Sequence, residues 1–193
     1  MTDFTRLPEN LPVPEDDGAA AHLPGSAMPA VALEASDGST VRLDELGPGR
    51  TVIYAYPLTG SPDAAAMPEG WDLIPGARGC TAEACAFRDH HAELLAAGAS
   101  AVFGLSVQDS DYQREVLERL HLPFAMLSDA AFELTRALRL PTFEASGLTL
   151  LRRLTLVVAD GEVEHVFYPV FPPDRHADEV LVWLRANPGT IEA

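Results

Sequence analysis

Cys80 and Cys85 are the only thiols among 193 residues, and they lie in one short segment. A thiol attacks an electrophile only as its thiolate, and free cysteine is mostly protonated at neutral pH. What this pair can do therefore depends on what favours the anion. Phe87, His91, Leu94 and Leu95 recur at helical spacing, which predicts a helix over 80–97 with Gly98 as its stop. A helix start offers free backbone N–H groups and the positive end of the dipole to a sulfur anion. Glu83, one turn on, suits a capping box but opposes a second negative charge nearby. A cation from elsewhere in the fold is expected, and the candidate is Arg153, at the mouth of a core strand.

The spacing carries a second message. Five helical positions turn through about 500°, leaving the side chains about 140° and the Cα atoms about 8 Å apart. Disulfides rarely span more than about 7 Å between Cα atoms, so a bridge needs the first turn to unwind. Cys80 is then a reactive thiol at rest, sealed by Cys85 only after local unfolding, the logic of sulfenic-acid capture. The alternative is a pair of unreactive small hydrophobes in a core helix. No metal is expected: two cysteines supply half a zinc shell, C-x4-C is not a standard spacing, and the histidines show no ligand pattern.

The surrounding elements must place this helix start. The stretches 51–56 and 101–107 are near-continuous apolar runs, as expected for strands buried on both faces. Ser36-Asp37-Gly38 and Asp160-Gly161 mark two hairpins, over 31–42 and 154–168. Ser110-Asp111-Tyr112-Gln113 reads as a capping box opening a helix over 110–120. A strand over 123–127, a short helix capped by Ser128-Asp129 and a final amphipathic helix over 174–186 complete the order. The stretch 57–79 is long, irregular and rich in Pro, Gly and Asp, as functional loops often are. Alternating strands and helices predict an α/β thioredoxin-like fold, a central mixed β-sheet flanked by helices. Pro8, Pro12, Pro14 and Pro24 break regular structure, so 1–25 is expected to be a flexible N-terminal tail before a single domain over 26–193, with an ordered strap as the alternative.

Composition excludes several classes. The net charge is −16, which repels phosphate backbones and anionic lipid, so neither nucleic acid nor membrane is an expected partner. Two cysteines are too few for a disulfide-stapled secreted scaffold, and the first 25 residues lack a basic region followed by an apolar one. No apolar run approaches the length that spans a bilayer. A cytoplasmic setting is expected.

The run Gly79-Cys80-Thr81-Ala82-Glu83-Ala84-Cys85-Ala86-Phe87-Arg88-Asp89 resembles the G-C-T-x-E-A-C-x-F-R-D signature of the peroxiredoxin Q, or bacterioferritin comigratory protein, group. Tyr54-Ala55-Tyr56-Pro57 is similar to that group's F-Y-P, Gly104-Leu105-Ser106 to its strand end, and Leu127-Ser128-Asp129 to its L-S-D. The segment 153–161 resembles the arginine-led hairpin of type-5 peroxiredoxins. The resemblance covers roughly residues 25–186. It implies a peroxidatic Cys80, a resolving Cys85 and an Arg153 that steadies thiolate and peroxide, with Arg152 the competing assignment. It implies a hydroperoxide substrate and reduction by thioredoxin or a similar dithiol, with no metal or organic cofactor. A monomer or a homodimer is expected.

The family's catalytic loop reads P-x-x-x-T-x-x-C, whereas here Ala77 stands three before Cys80 and Leu73 seven before. Residues 58–74 read as an insertion after Pro57. Thr59 and Thr81 are the candidate hydroxyls, Gly79 a further substrate-side position, and Trp71 either a lid or loop packing. The competing functions are a thiol–disulfide oxidoreductase, which usually carries C-x-x-C and a cis-proline facing it, and a non-catalytic redoxin-like binding module, which the missing threonine would suit.

Overall fold

The computed structural model describes residues 7–60 and 67–189. Seven strands form one mixed sheet: β1 (Ala32–Ala35), β2 (Thr40–Arg42), β3 (Arg50–Ala55), β4 (Ala99–Ser106), β5 (Met126–Ser128), β8 (Leu154–Ala159) and β9 (Glu162–Phe167), in the spatial order β2-β1-β5-β4-β3-β8-β9. β3, β4 and β5 run parallel, while β1 and β8 join them antiparallel. A separate hairpin pairs β6 (Thr142–Ala145) with β7 (Leu148–Leu151).

β3 is buried along its whole length, and its alternation shows why its sequence is apolar throughout. Val52 and Tyr54 enter one core with Phe87, Leu94, Val116 and Leu181, beneath α1 (Cys80–Asp89), α2 (His91–Ala96), α3 (Ser110–Leu120) and α5 (His176–Ala186). Ile53 and Ala55 enter the opposite core with Leu33, Leu105, Leu156 and α4 (Glu133–Leu138). Successive strand residues face opposite ways, so a strand covered on both sides needs apolar residues at every position. The thioredoxin-like architecture expected from the element order is the one observed.

Four details depart from the sequence reading. The helix expected over 80–97 is two, broken at His90 (φ −95°, ψ 2°). The cap of α3 is Asp109, whose carboxylate accepts from the Tyr112 N–H at 2.7 Å, while the Ser110 hydroxyl donates to Glu34. The β6–β7 hairpin was not anticipated. The segment expected as a flexible tail contributes Ala20 and Leu23 to the second core, so the boundary drawn at 26 cuts through packed chain. Leu23 lies fully buried, and Asp17 accepts from the Tyr168 hydroxyl at 2.7 Å. Residues 1–6 of that tail, and residues 61–66 of the expected insertion, lie outside the described residues.

Candidate active site around Cys80

Cys80 is the first residue of α1, and Gly79 before it takes φ +106°. That left-handed turn favours glycine, and there is no room for anything larger. A Cβ at Gly79 would come within 2.5 Å of the Pro173 ring and 2.6 Å of the Leu7 side chain. The loop before the cysteine is thus wedged between the N-terminal strap and the residues leading into α5.

Three charged or ionisable side chains meet here, all nearly or wholly inaccessible: Cys80, Glu83 and Arg153. The Arg153 Nη2 donates to the Cys80 sulfur at 3.1 Å, and its Nη1 pairs with the Glu83 carboxylate. The guanidinium also donates to the carbonyls of Gly76 and Ala77, each at 3.3 Å. The planar fork suits this task, since it addresses a sulfur, a carboxylate and a loop at once. The other carboxylate oxygen of Glu83 has no hydrogen-bond partner among the described residues.

The electrostatics are a contest. Burial pushes the Cys80 thiol up from its ordinary value, the Arg153 cation and a hydrogen bond from the Leu58 backbone N–H pull it back, and the Glu83 charge pushes it up again. Burial wins over the helix start, so the thiolate expected at rest is disfavoured in the closed structure. Burial also raises Glu83, against the pull of Arg153 and His176. Arg153 stays firmly charged, because Glu83 and Cys80 outweigh its own burial. One cation therefore faces two acids.

The remaining sequence candidates sort by distance from this cluster. Cys85 is half-buried and unbridged, and burial raises its thiol against the pull of Arg88. Arg152 is not the thiol's cation: it donates to the Thr142 carbonyl and lies 3.8 Å from Asp17. Thr81 is buried in the first turn of α1. Trp71, within the loop that precedes Cys80, is buried with Ala77, Ala145 and Leu150 and packs near Phe143. Thr59 is buried and hydrogen-bonded to Gln108. The sequence reading missed Gln108 and Tyr112. No motif marks them, because they meet Thr59 only through the fold. A cleft of about 880 Å³ runs past Leu58, Gln108 and Tyr112 to Leu148 and Leu150. A smaller one of about 300 Å³ reaches Arg153 between Pro14, Gly76 and Tyr168.

The family model described as Redoxin matches residues 23–181. The chain belongs to the redoxin family. Among relatives of this redoxin, the chloroplastic peroxiredoxin Q of Gentiana triflora is 29% identical over 184 residues, covering 93% of this chain and 76% of its own. That of Suaeda salsa is 30% identical over 162 residues, covering 84% and 67%. Among solved structures, peroxidoxin BcpB from Mycobacterium tuberculosis superposes with a TM-score of 0.68 at 28% identity, over 86% of this chain and 98% of that one. A bacterioferritin comigratory protein of Xanthomonas campestris, described for its alkyl peroxide reduction activity, shares the fold with a TM-score of 0.66 at 24% identity, over 84% and 99%. This redoxin is accordingly a peroxiredoxin of the Q type, a thiol-dependent peroxidase.

Proposed function

We propose that this redoxin reduces hydroperoxides through Cys80, with Arg153 as the group that steadies the sulfur and Cys85 as the resolving thiol. The contact between Arg153 and the Cys80 sulfur carries the assignment. In the first step the Cys80 thiolate attacks the distal peroxide oxygen. An S–O bond forms, the O–O bond breaks, and the remaining oxygen takes up a proton and leaves as alcohol, or as water from hydrogen peroxide. The sulfur is oxidised by two electrons to a sulfenic acid and the peroxide is reduced by two. Arg153 opposes the charge that builds up on the oxygens as the bond breaks. The Cys85 sulfur then displaces water from the sulfenic acid to form the disulfide, and an external dithiol exchanges with it to restore both thiols.

Thioredoxin or a similar dithiol is the proposed reductant, a monomer or homodimer the proposed assembly, and the cytoplasm the proposed setting. Among the described residues no helix is long and apolar enough to cross a membrane. The acidic surface supports a partner that is neither nucleic acid nor anionic lipid. The Xanthomonas relative's alkyl peroxide activity favours organic hydroperoxides as well as hydrogen peroxide.

The decisive experiment follows peroxide consumption in Cys80→Ser and Cys85→Ser. The first variant should consume none. The second should consume a single equivalent and then stall with thioredoxin present. Undiminished turnover by Cys80→Ser would overturn the assignment.

A further inference from the structure

The backbone just before Cys80 is fastened over the reacting groups. Arg153 donates from Nε to the Gly76 carbonyl at 3.3 Å, and from Nη2 to the carbonyls of Ala77 and Arg78 at 3.3 and 3.4 Å. The same Nη2 donates to the Cys80 sulfur at 3.1 Å. Its two hydrogens are divided among three acceptors, so neither is left for an oxygen placed beside the sulfur. The Cys80 S–H in turn donates to the Ala77 carbonyl at 3.6 Å. Only the protonated thiol can make that bond, so this carbonyl favours the neutral sulfur over the anion. Cys80 is 3% exposed, and the sulfur is covered while these contacts hold.

A glycine in left-handed backbone stands at each end of the segment, Gly76 at φ +76° and Gly79 at φ +106°. The two differ in freedom. A Cβ at Gly79 would overlap Pro173 and Leu7, whereas one at Gly76 would meet only Pro14, at 3.6 Å, an ordinary contact. Pro75 and Gly76 also line the cavity of about 300 Å³ that reaches Arg153.

We propose that Ala77 and Arg78 form a lid, hinged at Gly76, that must lift from Arg153 before a hydroperoxide can reach Cys80. The inference rests on the assignment of Cys80 as the reacting thiol and goes beyond it. Lifting takes the Ala77 carbonyl off the sulfur and returns an Nη2 hydrogen to the site. One movement thus releases both the ionisation of the thiol and the binding of the peroxide oxygens, which the cavity beside Gly76 receives. It precedes the chemistry, as lid opening often does, and is separate from the unwinding of α1 that joins the two sulfurs afterwards.

In Cys85→Ser protein, so that Cys80 alone reports, Gly76→Ala is compared with its parent. Alanine is strained in left-handed backbone while its Cβ has room here, so the penalty falls on the closed lid. Alkylation of Cys80 by iodoacetamide and consumption of the first equivalent of hydrogen peroxide should both become about fivefold faster. Gly76→Asn tolerates the left-handed conformation better and should accelerate both by a smaller factor. It decides in the same directions should the alanine variant fail to fold. Faster alkylation without faster peroxide consumption would mean that the segment only holds the site together, and overturns the lid; unchanged or slower alkylation overturns it too. In the parent, low urea should leave the alkylation rate unchanged, because a lid exposes little surface. A rate that climbs steeply with urea would make global unfolding the route to the sulfur and also overturn the lid. Undiminished peroxide consumption by Cys80→Ser would instead remove the assignment on which the lid rests.

Discussion

Arg153 Nη2 lies 3.1 Å from the sulfur of Cys80, although 73 residues separate them along the chain. The contact is made by the residue that leads into the central strand β8 meeting the start of a helix, and both side chains are buried. The same guanidinium holds Glu83, and the arrangement makes the sulfur's ionisation a property of three side chains.

Arg153→Lys tests the fork. Lysine keeps the positive charge but cannot address sulfur and carboxylate together in one plane. Peroxide consumption by the variant should fall about a hundredfold. Stopped-flow measurement of the first turnover, with circular dichroism to confirm the fold, checks it. Lysine is the better choice here than methionine, which would leave Glu83 buried without a partner at a cost of about 3–5 kcal/mol. A rate equal to the parent's would show that charge alone suffices.

Glu83→Gln separates ionisation from orientation. The Glu83 charge raises the Cys80 thiol, so its removal should shift Cys80 alkylation to lower pH. Peroxide turnover should nevertheless drop, because Arg153 loses the carboxylate that fixes its plane. A stability signature accompanies this. Glu83 holds its proton more tightly folded than unfolded, so its contribution is fully present below the unfolded value and lost as pH rises through the folded one. Urea unfolding across the acid-to-neutral range should show the parent losing stability with rising pH relative to Glu83→Gln. Parallel pH curves would contradict the buried, raised carboxylate.

Oxidation should unwind the first turn of α1. The two cysteines are unbridged at opposite faces of an intact helix, and five helical positions exceed the reach of a disulfide. One equivalent of peroxide should therefore lower helicity and speed amide exchange over 80–85, and dithiol should reverse both. Cys85→Ser should show neither change. Unaltered exchange in the disulfide form would mean that the bridge forms without unfolding.

Much of this was legible in the chain itself. The β-branched runs marked β3 and β4, and the long cysteine motif placed the sulfur at a helix start; the choice of Arg153 over Arg152 came only with the contact to the sulfur. Local patterns carry such information, because strand and helix periodicities and cap residues are short-range. The break at His90 escaped notice because the apolar spacing continues across it. Asp109 was displaced as cap by the neighbouring Ser110, an equally good capping residue. The burial of Glu83, the weakness of the helix start against desolvation, and the Thr59–Gln108 pairing depend on which parts of the chain meet. Gln108 lies 49 residues from Thr59, and nothing in either segment announces the other.

Leu7 and Pro173 both crowd the space where a side chain at Gly79 would stand, and Pro14 lies against Gly76. The turn that must open for the two sulfurs to join is thus clamped by segments from near both ends of the chain. Forming the bridge means prising that clamp apart, so the redox state of the sulfurs is mechanically coupled to how tightly the amino-terminal strap sits on the body of the protein.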